Sequence, residues 1–205
     1  MATASDPAKA ESAVSSNRWA PLPSGVLERA QAGDAEALGE FFDNYFDRIF
    51  ATVRRLMGND DGVEDITQDV FLKIQRAIPR LDPARDPAPW LYTIAANTCR
   101  DHWRSGSSRI RQRSVPLDHP AAGALSSGAS DPERALLVAE EERRVQRAID
   151  LLPAPLREAI VLHDCEGLGH QEVAVATGIK YAAARKRHSR ALIALASLLR
   201  EDTTP

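Results

Sequence analysis

The sequence has few cysteines, no long apolar run and no N-terminal signal, and each shortage excludes a class of protein. Two cysteines in 205 residues cannot build a disulfide framework, so a reducing cytoplasm is the expected compartment. The longest apolar stretch, residues 191–199, is interrupted by Ser197 and is far shorter than the roughly 20 residues of a membrane span. The first 25 residues carry charges and lack the apolar core of a secretory signal. We therefore expect a soluble, cytoplasmic protein without membrane insertion.

Aromatic residues are also scarce, at 5% of the chain, although apolar residues in total reach 43%. Cores must therefore be built from Leu, Ile, Val and Ala, which favours helices over strands. From Asp34, a good N-cap, apolar residues recur at three- and four-residue spacing as far as Gly58. No alternating pattern of useful length predicts a strand. The expected fold is all-α.

Stretches rich in Ser, Gly, Ala and Pro divide the chain. Residues 1–24 show no period and predict a disordered tail. Residues 25–105 predict a first small helical domain, and residues 131–202 predict a second one. The intervening residues 106–130 have the composition of a flexible linker. Two small helical domains on a linker are therefore expected.

The strongest local motif lies within residues 170–190. Ala174 is small where two helices must cross, Gly178 can adopt the left-handed conformation of a turn, and Ile179 can fill the space beneath it. Residues 180–200 then contain six cations and no acid. This pattern predicts a helix-turn-helix whose second helix enters a major groove lined by phosphates. The alternative is the solvated basic face of a structural helix.

A second basic cluster ends the first domain, and aromatic and polar residues precede it or lie within it. Its cations, set against Asp101, are Arg100, Arg104, Arg109, Arg111 and Arg113. The accompanying residues are Trp90, Tyr92, Asn97, Thr98 and Trp103. Aromatic side chains beside arginines suit melted DNA, because unpaired bases can stack on the aromatic rings. Alternatively, Trp90 and Trp103 belong to the core and the arginines are a solvated helix end.

A third feature is an acidic helix face. Asp65, Gln68, Asp69 and Leu72 fall on adjacent turns of one predicted helix. Compensation of the helix dipole explains Asp65 but not Asp69. A protein-binding face is the functional interpretation.

Motifs for catalysis are missing. The chain has no Gly-rich phosphate loop, nucleophile elbow or metalloprotease helix. His163, Cys165 and His170 lie close in sequence, near Asp164 and Glu166, but their spacing matches no structural zinc pattern. We therefore expect no enzyme activity, no cofactor and no metal site.

Several motifs in a fixed order resemble the extracytoplasmic-function sigma factors of bacterial RNA polymerase. They are the stretches 47–58, 64–72, 90–98, 151–153 and 170–190. The resemblance covers residues 25–105 and 131–200, which is nearly all of the chain predicted to be ordered. It implies a sigma region 2 bundle followed by a sigma region 4 helix-turn-helix. Members of this family direct core polymerase to promoters.

The resemblance also implies roles for individual residues. The acidic face would dock on the clamp helices of the largest polymerase subunit through Asp65, Gln68, Asp69 and Leu72. Region 2 would melt and recognise the −10 element, with contacts from Asn97, Thr98, Arg100 and Arg104, and the loop 81–89 would hold a flipped-out base. Region 4 would recognise the −35 element with Arg185, Lys186, Ser189 and Arg190. The polymerase flap and an anti-sigma factor are further implied partners.

Two departures from the family pattern affect region 4. Ala182, Ala183 and Ala184 stand where a Gly-Thr-Val sequence is common, which puts a phosphate contact by threonine in doubt. His188 replaces a usually aliphatic residue and is expected to loosen the core there. The alternative functions are a helix-turn-helix regulator that binds duplex DNA without polymerase and a small metal-dependent enzyme.

Overall fold

The computed structural model describes residues 22–58, 62–105 and 132–202, and within these ranges the chain is helical without any strand. The predicted all-α fold is confirmed. The predicted linker, and the predicted tail apart from its last three residues, lie outside the described residues. The elements in chain order are α1 (Val26–Gln31), α2 (Ala35–Met57), α3 (Val63–Ala77), a 3-10 turn (Ile78–Arg80), α4 (Ala88–Arg104), α5 (Pro132–Leu151), α6 (Ala154–Ile160), a π-helical turn (Val161–Cys165), α7 (His170–Thr177) and α8 (Tyr181–Glu201).

The long helix α2 begins and ends where the sequence predicts. The Asp34 carboxylate accepts hydrogen bonds from the backbone N–H groups of Glu36 and Ala37, which would otherwise lack partners at a helix start. At the other end Gly58 has a φ of 65°, a conformation that favours glycine. One polar cap and one glycine therefore set the length of the helix that supports the first unit.

Helix α1 is absent from the sequence prediction. It is only six residues long, and its N-cap, Gly25, provides no side-chain cap, so neither a period nor a capping signal reveals it. Its buried residues Val26, Leu27 and Ala30 join the core of the first unit. A short helix of this kind forms because α2 offers it an apolar surface.

We call residues 22–58 and 62–105 the first unit. Its helices α2, α3 and α4 pack against one another through their apolar faces, as the three- and four-residue spacing requires. The fully buried residues of this bundle include Phe41, Ile49, Val53, Leu56, Val70, Ile74, Leu91 and Ala95. Burial of one such side chain contributes roughly 1.5–3 kcal/mol.

Residues 132–202 form the second unit, whose helices α7 and α8 meet in the predicted helix-turn-helix geometry. Gly178 lies in the left-handed region, with φ 68° and ψ 31°, and the Ile179 N–H donates to the Ala174 carbonyl at 3.0 Å. Ala174 is buried at the crossing, and Ala184 is fully buried on α8. Helix α8 is 21 residues long.

Helix α5 is buried only in its C-terminal half. Ala148 and Ile149 lie in the core, whereas Leu136 and Leu137 are more than 60% exposed. The first half of this helix therefore extends beyond the bundle, and its leucines do not pack in the core. None of the helices in the described ranges has the length and apolar character that a membrane span requires.

The two units pack against each other, an arrangement that we call closed. Helix α4 contacts α7, and α2 contacts α5, α6 and the π-helical turn. A single apolar cluster extends through both units. The residues that the sequence assigns to promoter and polymerase binding are therefore placed either on the outer surface of this body or at the seam between its units.

Candidate nucleic-acid and polymerase interfaces

Helix α8 presents the four predicted −35 residues to solvent. Arg185, Lys186, Ser189 and Arg190 are all exposed, and their spacing places them on one face. The opposite face carries the buried Ala184, His188 and Ala191. The Ser189 hydroxyl donates to the Arg185 carbonyl at 3.1 Å. A helix with three exposed cations on one face can follow a groove lined by phosphates.

The start of α8 has no side-chain cap. Its N-cap is Lys180, which makes no capping hydrogen bond, and Ala182 and Ala183 are exposed in the first turn. The N–H groups of Ala183 and Ala184 already donate to the Lys180 carbonyl, at 2.9 and 3.0 Å. The absence of a threonine here therefore removes one side-chain hydroxyl that could have donated to a phosphate oxygen.

Helix α3 presents the predicted polymerase-docking residues on a single outer face. Asp65, Gln68, Asp69 and Leu72 are all exposed, and the side chain of Leu72 is exposed by 42%. The other face of the helix is buried in the first unit. Two carboxylates around an exposed leucine form a surface that can combine apolar burial with charge complementarity.

Phe46 on α2 is an exposed apolar residue that the sequence reading missed. It is 47% exposed, and its ring stacks on that of Phe71 with 5.5 Å between centroids. Its position beside an α3 residue extends the apolar surface of the first unit.

The predicted −10 residues on α4 differ in their exposure to solvent. Asn97 and Arg104 are exposed, whereas Thr98 is only 4% exposed. The Thr98 hydroxyl donates to the Ile94 carbonyl at 2.8 Å and accepts from Lys73 Nζ at 3.1 Å. A direct contact between DNA and this hydroxyl would require the hydroxyl to leave both partners.

The two tryptophans beside the basic cluster are half-buried against the core of the first unit. This placement favours the core interpretation for Trp90 and Trp103 over a role as open stacking surfaces. The arginines at 109, 111 and 113 lie outside the described residues. The basic character of the described part of this cluster therefore rests on Arg100 and Arg104.

Arg100 points towards the second unit. Its guanidinium donates to Glu158 Oε1 at 2.6 Å, to the Ala176 carbonyl at 3.2 Å and to Asn97 Oδ1 at 2.7 Å. Glu158 is buried and also faces Arg187 Nη1 at 3.6 Å. Burial raises the pKa of Glu158 above its usual range, and Arg100 offsets only part of that rise. A predicted DNA-contacting arginine is therefore held in an ion pair between the units.

Glu166 forms a second polar contact between the units. Its side chain is 1% exposed and accepts hydrogen bonds from three residues of α2. The distances are 3.3 Å from Arg48 Nε, 2.8 Å from Thr52 Oγ1 and 3.1 Å from Arg55 Nη1. A buried carboxylate needs such partners to offset its desolvation. Because the partners lie more than 100 positions away, local sequence patterns gave no sign of this contact.

Arg157 holds the C-terminal end of α2. Its Nη1 atom donates to the Leu56 carbonyl at 3.0 Å, and its Nε and Nη2 atoms donate to the carbonyls of Ile149 and Leu152 at 3.3 and 3.2 Å. A Cβ atom at Gly58 would lie 2.8 Å from Nη1. Gly58 is therefore required both by its φ and by the close approach of this guanidinium.

The histidines of the second unit form a cluster that the sequence only partly indicated. His163 and His170 lie together as their spacing suggested, but the third member is His188 rather than Cys165. The expectation that His188 loosens the core is wrong, because its ring bonds to Asp164 and faces His170. Burial, aided by His163 and His188, lowers the pKa of His170. Burial raises the pKa of Cys165 to about 11.

Comparisons with known proteins agree with this architecture. The family model for sigma-70 region 2 matches residues 41–109, and that for sigma-70 region 4 matches residues 142–195. The RNA polymerase sigma-H factor of Pseudomonas aeruginosa is 30% identical over 183 residues, which cover 86% of this chain and 95% of that protein. The ECF RNA polymerase sigma-E factor of Escherichia coli (strain K12) is 30% identical over 81% of this chain and 88% of its own length.

A third relative matches over a shorter stretch. The probable RNA polymerase sigma factor RfaY of Xanthomonas campestris is 41% identical over 108 residues, and the match spans 50% of this chain and 25% of that protein. Among solved structures, CnrH in complex with the cytosolic domain of CnrY has a TM-score of 0.58 at 25% identity, covering 87% of this chain and 97% of that one. The sigma factor RpoE of Bartonella quintana, bound to the anti-sigma factor NepR, has a TM-score of 0.61 at 22% identity. The match covers 81% of this chain and 98% of that one, and it supports the fold.

The chain belongs to the sigma-70 family, among its extracytoplasmic-function sigma factors. The family consists of transcription initiation factors, which act with RNA polymerase at promoters. The predicted resemblance and the predicted function as a sigma factor are thereby confirmed.

Proposed function

We propose that this sigma factor docks on core polymerase through the exposed face of α3, recognises the −10 element with α4 and recognises the −35 element with α8. The proposal rests on one observation. All four docking residues are exposed on the first unit, and all four −35 residues are exposed on the second unit. The docking set is Asp65, Gln68, Asp69 and Leu72, and the −35 set is Arg185, Lys186, Ser189 and Arg190. The two surfaces can be used at once by partners that approach from different sides.

Recognition of the −10 element requires the closed arrangement to open. Arg100 cannot contact DNA while its guanidinium is bound to Glu158 and to the Ala176 carbonyl. Asn97 accepts from Arg100 and would be released with it. Thr98 would act mainly through Lys73, which donates to its hydroxyl. Arg104 is already exposed and can make the first phosphate contact.

The domain boundaries remain part of the proposal. We assign residues 25–105 to region 2 and residues 131–202 to region 4, joined by a linker at residues 106–130 and preceded by a tail at residues 1–24. The sequence composition supports the linker, because it is rich in Ser, Gly and Pro. A linker of this length lets the two units reach separate promoter elements.

An anti-sigma factor is the proposed regulator. Two structures with similar folds contain a bound partner, which is the cytosolic domain of CnrY with CnrH and the anti-sigma factor NepR with RpoE. In this chain the exposed Leu136, Leu137 and Val138 on α5 offer an apolar surface that a partner can cover. The protein would act in the cytoplasm, where polymerase lies, without enzyme activity of its own.

Footprinting of a reconstituted holoenzyme tests the proposal. With core polymerase, the chain should protect two separated elements upstream of the start site, and permanganate should detect unpaired thymines near −10. Equal protection of duplex DNA by the chain alone, without melting, would instead support a helix-turn-helix regulator that works without polymerase. Arg147→Ala, an exposed change on α5, serves as a control that should leave the footprint unaltered.

A further inference from the structure

Three histidines from three different elements meet beneath the helix-turn-helix. His163 lies in the π-helical turn, His170 is the first residue of α7, and His188 lies on the inner face of α8. The ring centroid of His163 lies 4.2 Å from that of His170 and 4.2 Å from that of His188. The ring centroids of His170 and His188 are 5.1 Å apart. One ring nitrogen from each histidine can be chosen so that all three lie within 4.8 Å of one another.

Two of the three rings have their tautomers fixed by acceptors outside the cluster. His163 Nδ1 lies 2.6 Å from the Leu168 carbonyl, which can only accept, so this nitrogen carries the proton and Nε2 keeps its lone pair. His188 Nε2 lies 2.8 Å from Asp164 Oδ2 and donates to it, which leaves the lone pair on Nδ1. Metal-ligating histidines are commonly oriented by such carbonyl and carboxylate partners.

The third ring completes the set at a suitable distance. His170 Nε2 lies 3.2 Å from His188 Nδ1. Two nitrogens of a tetrahedral zinc site, each about 2.1 Å from the ion, are separated by about 3.4 Å. These two atoms therefore already lie near the separation that a shared ion requires. His163 and His170 are partly exposed, which gives an ion a path to the cluster.

We propose that His163 Nε2, His170 Nε2 and His188 Nδ1 bind one Zn²⁺ ion, with water as the fourth ligand. Three imidazoles suit zinc among the common divalent ions, whereas calcium and magnesium prefer oxygen ligands. Three protein ligands leave one coordination position open, as in zinc sites that exchange a ligand. In a purely structural cluster, His170 Nε2 would instead donate a hydrogen bond to His188 Nδ1 at 3.2 Å. Direct measurement of zinc binding distinguishes these two arrangements.

Zinc at this position would join the π-helical turn, the first helix of the motif and the recognition helix. His188 directly precedes Ser189, so the ion would fix α8 close to the proposed −35 residues. The site is independent of the proposed docking and −10 contacts, since none of their residues takes part. If the chain binds no zinc, the proposed sigma-factor function is unaffected.

Binding of zinc to the chelator-treated full chain, without polymerase, tests the site. Competition with a chromogenic chelator should show one Zn²⁺ per chain, and zinc should raise the thermal midpoint of unfolding. Asp164→Asn removes the carboxylate beside His188 and should weaken binding roughly 10- to 100-fold. His170→Ala removes a ligand and should weaken it further and abolish the thermal shift.

Matched variants separate ligand loss from misfolding. Gln171→Ala changes the exposed neighbour of His170 on α7 and should bind zinc as the unmodified chain does. Cys165→Ser should also bind normally, and loss of binding in this variant would overturn the three-imidazole set. If circular dichroism shows that His170→Ala does not fold, His163→Asn replaces it with the same expected loss. The absence of stoichiometric binding, or equal binding in a folded ligand variant, would overturn the proposal.

Discussion

Arg100 and Glu158 are 58 positions apart in the chain, yet their side chains form an ion pair of 2.6 Å between the two units. The arginine lies on the helix assigned to −10 recognition, and the glutamate is buried in the second unit. Under the proposed −10 role of Arg100, a DNA phosphate would compete with this carboxylate for one guanidinium. The closed arrangement and −10 binding through Arg100 exclude each other.

Asp69→Arg tests the docking face. The side chain is exposed on α3, so we expect the fold to be unaffected and the affinity for core polymerase to fall roughly tenfold or more, since charge reversal turns attraction into repulsion. Affinity is measured by fluorescence anisotropy of labelled core. Glu140→Arg makes the same charge change on the second unit and serves as the control. Unchanged affinity in Asp69→Arg would contradict the assignment.

Arg190→Ala tests the −35 contact. If Arg190 binds a base edge, its loss should cost about 1–3 kcal/mol at the matching −35 sequence and relax specificity at one position. Holoenzyme binding to a panel of single-base promoter variants measures both effects. If the loss is uniform across the panel, Arg190 contacts phosphate only, and if there is no loss, Arg190 does not belong to the interface.

Glu166→Ala tests the closed arrangement. The change removes the carboxylate that Arg48 and Arg55 share, whereas the Thr52 hydroxyl can still donate to the Arg48 carbonyl at 2.8 Å. We expect the contact between the units to weaken by about 1–3 kcal/mol. Small-angle X-ray scattering of the full chain should then give a larger radius of gyration. Glu140→Ala, at an exposed site, should not change the radius, and an unaltered radius in Glu166→Ala would count against the interface.

The closed arrangement should also respond to pH. Burial raises the pKa of Glu158 when the units are closed, so the carboxyl group binds a proton more tightly in the closed than in the open state. Closure is therefore favoured as the pH falls from neutral towards 5 and disfavoured as it rises again. The charged groups that face this carboxyl are Arg100, Arg187 and Arg104.

Glu158→Gln isolates this contribution. The glutamine can still accept from Arg100 but cannot titrate, so the radius of gyration should depend less on pH than in the unmodified chain. A scattering series from pH 5.5 to pH 8 on both proteins measures the difference. Identical pH profiles, or opening of the unmodified chain at the acidic end alone, would refute the role of Glu158.

Gly39 within α2 and Gly58 just after its end should respond in opposite directions to replacement by alanine. Gly58→Ala places a Cβ atom against Arg157 and forces a positive φ, so we expect a loss of about 1–3 kcal/mol. Gly39 lies inside the helix, and no atom would be near a Cβ added there. Gly39→Ala should therefore stabilise the protein by about 0.5–1 kcal/mol. Thermal unfolding of both variants checks the pair, and equal midpoints would contradict the argument.

Local signals in the sequence accounted for most of the fold. Asp34, Ala174 and Gly178 were identified because a cap, a close helix crossing and a left-handed turn each demand a particular residue type. Helix α1 was missed because it has no such signal. The exposure of Leu136 and Leu137 on α5 could not be predicted, because periodicity shows which residues share a face but not how far along the helix that face is covered.

The contacts between the units could not have been predicted in the same way. Glu158 and Glu166 carry the charges of ordinary surface residues, and their burial depends on partners supplied by a distant part of the chain. His188 was read as a defect for the same reason, because Asp164 and His170 reach it only through the fold. Sequence patterns record local geometry, whereas buried polar contacts depend on which surfaces finally meet.

Run-off transcription with purified core polymerase tests the central claim most directly. Templates are taken from start sites mapped after overexpression of the protein. The account predicts specific transcripts that require the chain, fall sharply with Asp69→Arg and persist with Glu140→Arg. No promoter-specific transcript with the folded, unmodified chain, or equal transcript levels from the two variants, would contradict it.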